Sequence, residues 1–558
     1  MLAFAQLSTS AAEGNGPSIH SIVTLVLGLL VAVVALAILA PRLRMHYSIL
    51  LVLGGLLLGF IPGLPHFTLD PDLVFLLFLP PLIYLAAWNT SWRDFRASLR
   101  PISFLAIGLV LFTIVGVAWV ARLLIPGLPW SVACVLGAVV SPTDAIAATA
   151  TAQRLGIPRR IVTILEGESL LNDASGLVAY RFAVAAVVSG TFSLGQASLT
   201  FVAVCVGSVA LGLAVGWCIA TLHRSLNQPS IEIVITLLTP FAVYLLSEAL
   251  QMSGVLAVVT TGLYIAWRAP RIFSAELRLQ SVAFWNTLEF LLNGLVFILI
   301  GLQLPAILDT LNKTDQHGHT FKGLLWYAII ISLAVILVRI LWVFPASYLP
   351  RLLSRRLRAR DPYPNWRTTL FTGWTGMRGV MSLATALAIP DTTATGNPFP
   401  ERSLLIFLTF CVIFATLVLQ GLSLPLVARW LGLEDDGKTE AEETKAHLVA
   451  IEAALDRIDA LDEEDEVPHE VAEHLRTHYE NRAHSIRQRI QEAENEQDED
   501  AHHEHTEDTH IAYKALLREA LQAERNAVIS LRNEGEINDE VLRHIERELD
   551  LQEQQLPR

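Results

Sequence analysis

Thirteen predominantly apolar stretches recur along this 558-residue chain, about 19–40, 46–63, 71–89, 101–126, 131–152, 160–189, 197–223, 230–250, 252–268, 281–304, 320–349, 366–390 and 402–431. A helix needs roughly 20 such residues to cross the hydrocarbon core of a bilayer. In lipid, backbone polar groups must bond within their own segment or within a closed barrel, and segments of this length dictate helices. The overall makeup agrees: 53% of residues are hydrophobic, 17% are charged and the mean hydropathy is +0.49. These values are too apolar for a soluble globular chain. The expected fold is an all-α polytopic membrane protein.

Charge divides the chain near Leu433. Residues 434–558 hold 36 acidic and 14 basic side chains, leaving 17 and 26 for residues 1–433. We therefore expect a membrane domain over 1–432 and an acidic cytoplasmic tail, helical and regulatory, over 433–558. Lys and Arg avoid translocation, and alternate connections differ sharply in them. One set carries 18, including Arg42, Arg93, Arg159, Arg271, Arg278 and Arg351, whereas the other has 4: Arg122, Lys313, Lys322 and Arg402. This bias places the N-terminus outside and the C-terminus inside, and it supports an odd number of crossings. Met1–Ser18 lacks the charged start of a secretory signal and reads as a short lead-in. Cys134, Cys205, Cys218 and Cys411 lie in apolar runs without metal-ligand spacing and read as packing residues; no structural metal is expected.

Ionisable residues at bilayer depth are costly and point to function. The sixth stretch concentrates them, in Glu166-Gly-Glu168-Ser169-Leu-Leu-Asn172-Asp173-Ala-Ser175-Gly176. At about 100° per residue, Glu168, Ser169, Asn172 and Asp173 share an arc of about 140°. Carboxylate, hydroxyl and amide oxygens suit a small hard cation, and a carboxylate in a low-dielectric site also takes up protons readily. One Asp173 that binds either a proton or a cation is sufficient for exchange by competition. The alternative is a polar seam that joins helices.

The fifth stretch carries Ser141-Pro142-Thr143-Asp144 near its middle, where Pro142 should break the helix. Such breaks present backbone ends to ions in many transporters; Asp144 alternatively caps the second half-helix. The twelfth carries Gly373, Gly376 and Gly379 around Arg378. The two breaks lie in stretches of opposite direction, as in an inverted-topology repeat. We expect Arg378 to neutralise the acidic face by pairing with Glu168, the alternative being that it satisfies carbonyls freed by the glycine break. Arg181, Glu248, Glu289 and Arg339 are further intramembrane charges, for which structural pairing is expected.

With these residues in place, the chain resembles the monovalent cation/proton antiporter family that includes the sodium/proton exchangers. The resemblance rests on Phe78-Leu-Pro80-Pro81-Leu-Ile, Ser141-Pro-Thr-Asp144, Gly167-Glu-Ser-Leu-Leu-Asn-Asp173, Ser253-Gly254 with Ala257 and Gly262, and Gly376-Met-Arg-Gly379. It implies exchange of Na⁺, Li⁺ or K⁺ for H⁺ by a homodimer, with a core domain moving against a dimerisation domain. It also implies that Asp173 is the shared cation and proton site, with Ser169 and the main chain at Thr143 as ligands, Asn172 and Glu168 shaping the site, and Arg378 paired with Glu168. Two departures stand out. Many relatives carry an acid shortly after the double proline, where this chain reads Tyr84-Leu85-Ala86, and many have proline after the Asp of the fifth stretch, where this chain has Ala145.

The tail mixes acidic runs with apolar positions at helical spacing, first Leu448, Ile451, Leu455 and Ile458, then Leu516, Leu517, Ala520 and Leu521. Amphipathic helices joined by a solvated link around Glu492–Thr509 are expected, and the tail offers a surface for a regulator. Its His502, His503, His505 and His510 read as part of that link, with pH sensing or divalent-metal binding as the alternative. No P-loop and no clustered His or Cys argues for an enzyme, and no nucleic-acid partner or cofactor is expected beyond the lipid bilayer and the transported ions. The competing readings are a cation channel and an ion-sensing membrane protein that signals through its tail.

Overall fold

The computed structural model describes residues 19–43, 45–61, 70–190, 194–226, 228–314, 321–394, 396–433, 438–463 and 468–495. Among these every regular element is helical, and one isolated bridge joins Thr392 and Pro398. They fall into two units, one ending at 433 and one beginning at 438.

The first unit runs through α1 (Ile19–Leu39), α2 (Tyr47–Gly59), α3 (Pro71–Asn89), α4 (Leu99–Leu124), α5 (Trp130–Val139), α6 (Ile146–Arg154), α7 (Arg159–Ser189) and α8 (Leu194–His223). It continues through α9 (Pro229–Ala249), α10 (Gly254–Ile272), α11 (Ala275–Thr314), α12 (Phe321–Leu353), α13 (Trp366–Trp374), α14 (Val380–Leu387) and α15 (Arg402–Trp430). Eight of them (α3, α4, α7, α8, α9, α11, α12 and α15) contain enough apolar residues in a row to cross a membrane. The apolar helices within α1, α2 and α5 are shorter.

Local chemistry sets the ends. Ser253 and Asn365 cap α10 and α13 by accepting from Leu256 N and Arg367 N. Gly190 ends α7 with φ +71°, a left-handed conformation that favours glycine. Leucine, valine and tryptophan side chains such as Val31, Leu199, Trp217 and Leu341 face outward. In water this would leave a large exposed apolar surface; in a bilayer it is the lipid-facing side.

Without a hydrophobic drive between helices in lipid, close approach supplies the attraction. α2 and α11 show this: a Cβ at Gly55 would stand 3.0 Å from the carbonyl carbon of Ile298 and 3.2 Å from Gly301 Cα. α15 packs on α11, α12 and α14, and it contains a π-helical turn at Thr416–Gln420. Another π-helical turn, Val74–Phe78, lies just before Pro80 and Pro81.

The second unit is a helical hairpin of α16 (Lys438–Glu463) and α17 (His469–Asn495). Ile451 and Ile458 of the expected apolar stripe are buried in it, together with Ala472 and Ala483. Arg476 pairs with Asp459, and Arg487 with Glu452. The expected second stripe from Leu516 to Leu521, the histidines 502 to 510 and Met1–Ser18 lie outside the described residues.

Candidate ion-binding site

Two interrupted helices meet at the centre of the first unit. α5 stops at Val139 and α6 starts at Ile146, so Pro142 lies in a non-helical segment of residues 140–145. Proline supplies no N–H and disfavours helix at the preceding Ser141. Ser141 Oγ turns back to Ala138 O at 2.8 Å, so the first half-helix ends on a side-chain bond. Asp144 caps the second half-helix by accepting from Ile146 N at 2.9 Å. On the other side, α13 stops at Trp374 and α14 starts at Val380, leaving residues 375–379 non-helical. The two breaks touch directly, because Asp144 N donates to Met377 O at 2.8 Å.

Small residues allow this crossing. A Cβ at Gly379 would lie 2.7 Å from Asp144 Cβ, and one at Gly376 would lie 2.7 Å from Arg339 Nε. On α7, a Cβ at Gly176 would lie 2.6 Å from Pro142 Cγ. The polar face of α7 thus abuts the proline break at its glycine.

That face divides its work. Glu168 is 1% exposed and takes a two-pronged ion pair from Arg339 of α12, with Nη1 to Oε1 and Nη2 to Oε2, the second at 2.9 Å. Thr143 Oγ1 donates to Glu168 Oε1 at 2.9 Å and accepts from Asn172 Nδ2 at 2.6 Å. The remaining reach of Arg339 goes to Thr372 O, at 3.1 Å from Nη2 and 3.3 Å from Nε. A fork that satisfies both carboxylate oxygens and also reaches a helix-end carbonyl is what a buried arginine does best.

The expected ion pair between Glu168 and Arg378 is therefore corrected: Arg339 holds Glu168. Arg378, fully buried, donates through Nε to Val140 O at 3.0 Å and through Nη1 to Gly376 O. Its own N–H goes to Thr416 Oγ1 at 3.1 Å, in the π-helical turn of α15. Arg378 thus ties together carbonyls freed at both breaks. The reason is geometric: the two breaks cross next to Arg378, whereas α12 runs beside the glutamate. Arg339 was the functional residue that sequence reasoning underweighted. Its signal was an arginine deep in the apolar stretch of α12, whose helix offers no acid to hold it.

Asp173 and Ser169 share the α7 face but take no part in that network; both are partly buried. The Asp144 carboxylate is near enough to Asp173 to interact with it electrostatically. Asn172 Oδ1, 1% exposed at the residue level, has no protein partner. Asp173, Asp144, Ser169 and Asn172 carry carboxylate, hydroxyl and amide oxygens on or beside one face, the ligand type that hard cations prefer. Leu85, where many relatives carry an acid, is buried and apolar, and the hydroxyl of the neighbouring Tyr84 is buried without a partner. Arg181 and Glu248 pair with each other at 3.0 Å between α7 and α9.

Residues 28–430 match the family described as sodium/hydrogen exchanger, transmembrane. The chain belongs to the sodium/hydrogen exchanger family. It is 38% identical over 537 residues to an uncharacterized Na⁺/H⁺ exchanger of Mycobacterium tuberculosis, covering 95% of each chain. A sodium, potassium, lithium and rubidium/H⁺ antiporter of Bacillus subtilis is 37% identical over 387 residues, 67% of this chain and 56% of that one. Among solved structures, the sodium proton antiporter MjNhaP1 of Methanocaldococcus jannaschii superposes with a TM-score of 0.58 at 19% identity, over 73% of this chain and 98% of that one. That likeness shows the fold. This exchanger is accordingly a multi-pass membrane transporter of monovalent cations and protons, and its family is one of transporters.

Proposed function

We propose that this exchanger is a secondary antiporter that moves Na⁺, and with the same oxygen ligands K⁺ or Li⁺, against H⁺ by alternating access. The observation that carries the reading is the crossing of two interrupted helices at Asp144, against which α7 lays the face that bears Asp173, while Glu168 is paired with Arg339. A cation and a proton compete for the Asp173 carboxylate, with Ser169, Asn172 and the main chain at Thr143 as further ligands. Asp144 keeps its cap and completes the charge around the ion.

Glu168 is committed to Arg339 and Asp144 to Ile146 N, which leaves Asp173 to carry one charge per cycle. This favours one-for-one exchange. The thirteen apolar stretches give thirteen crossings, related in part by an inverted repeat whose two interrupted helices are α5–α6 and α13–α14. The N-terminus lies outside, the basic connections and the tail lie in the cytoplasm, and the protein works as a homodimer in the plasma membrane. Its roles are pH and sodium homeostasis, with the acidic tail as the regulatory element.

The test is transport in everted vesicles or proteoliposomes with an imposed pH gradient. Adding Na⁺, K⁺ or Li⁺ should dissipate the gradient with the wild-type chain and leave it intact with Asp173→Asn. Wild-type exchange by that variant would remove Asp173 from the mechanism, and cation flux without proton movement would replace exchange by a channel.

A further inference from the structure

The network at the crossing leaves other intramembrane carboxylates unused, among them Glu289 of α11. Glu289 lies within the apolar stretch Glu276–Leu311 of α11, partly buried and without an ion pair among the described residues. The elements packed on α11 do not neutralise it. The Leu79–Asn89 part of α3 and all of α14 carry no charged side chain, and α1 offers only His20, exposed and facing Thr24. On α9, Glu232 is held by His223 and Glu248 by Arg181; the part of α15 packed on α11, Arg402–Ala415, carries only Arg402, which faces Asp391. Arg278, three turns earlier on α11, donates to Phe273 O. An unpaired charge at this depth is costly unless water reaches it.

Two observations point to water near it. A half-open cavity of about 500 Å³ between α3, α10 and α11 is lined by Arg278, Trp285 and Asn286, and thus reaches within one turn of Glu289 along α11. Beside the next residue, Phe290, stands Tyr47, the first residue of α2, with its ring tilted against that of Phe290 at 5.9 Å between centroids and next to His46. Its phenol lies beside Asn293 and feels the charges of both Glu289 and Asp144. Asn293, 1% exposed, has an Nδ2 without a partner, and so does the buried Ser48 Oγ. Gln420, fully buried, has neither amide atom bonded; it precedes Gly421, where a Cβ would lie 2.7 Å from Ile49 Cδ1. Buried orphaned polar atoms of this kind are what ordered water satisfies.

Resting on the antiport reading above, we propose that Glu289, with Tyr47 and Asn293, forms a cytoplasm-side binding station for the transported cation and proton, between the cavity at Trp285 and Asn286 and the Asp144–Asp173 site. The cation loses water in steps: the Glu289 carboxylate, the Asn293 amide oxygen and the Tyr47 hydroxyl replace part of its shell before it reaches Asp173. A proton leaving Asp173 exits through the same water, with Glu289 as the acceptor nearest the cavity.

Exchange measured in proteoliposomes against Na⁺ concentration and pH tests this. Glu289→Gln should raise the apparent KM for Na⁺ about fivefold or more and displace the pH profile while retaining turnover at saturating Na⁺. Glu289→Asp should restore both, and Tyr47→Phe should shift KM in the same direction by less. Wild-type KM and pH profile in Glu289→Gln overturn the proposal, as does a loss of turnover alone with KM and profile unchanged. If Glu289→Gln yields no folded protein, Tyr47→Phe decides, and a wild-type KM there overturns the station. Asp173→Asn, assayed beside them, reports on the antiport reading separately: exchange by that variant removes the central site whatever Glu289 does.

Discussion

Replacing Arg339 by Gln separates the two candidate partners of Glu168. In the structure Arg339 gives Glu168 two bonds and gives Thr372 O two more, all away from solvent. Removing it leaves a carboxylate 1% exposed with only the Thr143 hydroxyl as donor. Breaking one side of a buried pair costs about 3–5 kcal/mol, because the remaining charge stays buried and uncompensated. Replacing both partners by neutral groups recovers much of that. A double-mutant cycle of Glu168→Gln with Arg339→Gln should therefore show a coupling of about 2–3 kcal/mol. The same cycle with Arg378→Gln should give a smaller coupling, under about 1 kcal/mol, since Arg378 directs Nε and Nη1 to Val140 O and Gly376 O and its Nη2 bonds no protein atom. The readout is the apparent melting temperature of the purified protein in detergent, where Arg339→Gln alone should fall by about 3–6 °C. Coupling of Glu168 to Arg378 that equals or exceeds its coupling to Arg339 would refute the assignment.

Gly176→Val puts branched carbon where a Cβ already lies 2.6 Å from Pro142 Cγ, so the α5–α6 break must move. We expect a loss of about 1–3 kcal/mol of stability and a larger loss of exchange, whereas Gly195→Val, with open space around it, should change neither. Outside the membrane, burial alone would raise the pKa of Asp361, but hydrogen bonds and charge from Arg160 and Arg351 outweigh it and hold the carboxyl below its usual range. A depressed carboxylate stabilises the folded state above its unfolded pKa and loses that contribution as the pH falls through the folded value. The melting temperature of Asp361→Asn should therefore lie slightly below wild type at pH 7 and converge on it in acid, the difference at pH 7 being up to about 1 kcal/mol.

Much of the site was legible because its chemistry is local. Proline cannot donate, so the break at Pro142 could be read from one residue and its neighbours. The face of Glu168, Ser169, Asn172 and Asp173 follows from helical period alone, and Asp144 as a cap follows from the freed amide of Ile146. The glycines around Arg378 likewise announced the second break. What they did not announce was which of two buried arginines meets the glutamate, since Arg339 and Glu168 are 171 residues apart in the chain. Both are fully buried cations in apolar stretches, and nothing in either helix ranks them. Glu289 was equally visible as a charge, but only its surroundings show that no cation among the described residues pairs with it.

The amino-acid order by itself determined the solvent, the helical class and the places where helices fail. Those properties depend on apolar length, on backbone donors and on period, which act within about 20 residues of chain. Tertiary structure decided the pairing: Arg339 with Glu168, Arg378 with the carbonyls of both breaks, Thr143 between Glu168 and Asn172, and Asp144 beside Asp173. A buried charge seeks whichever partner the packing brings within reach. Here the crossing of α5–α6 and α13–α14, made close by Gly379, and the approach of α7 to it at Gly176 set that reach.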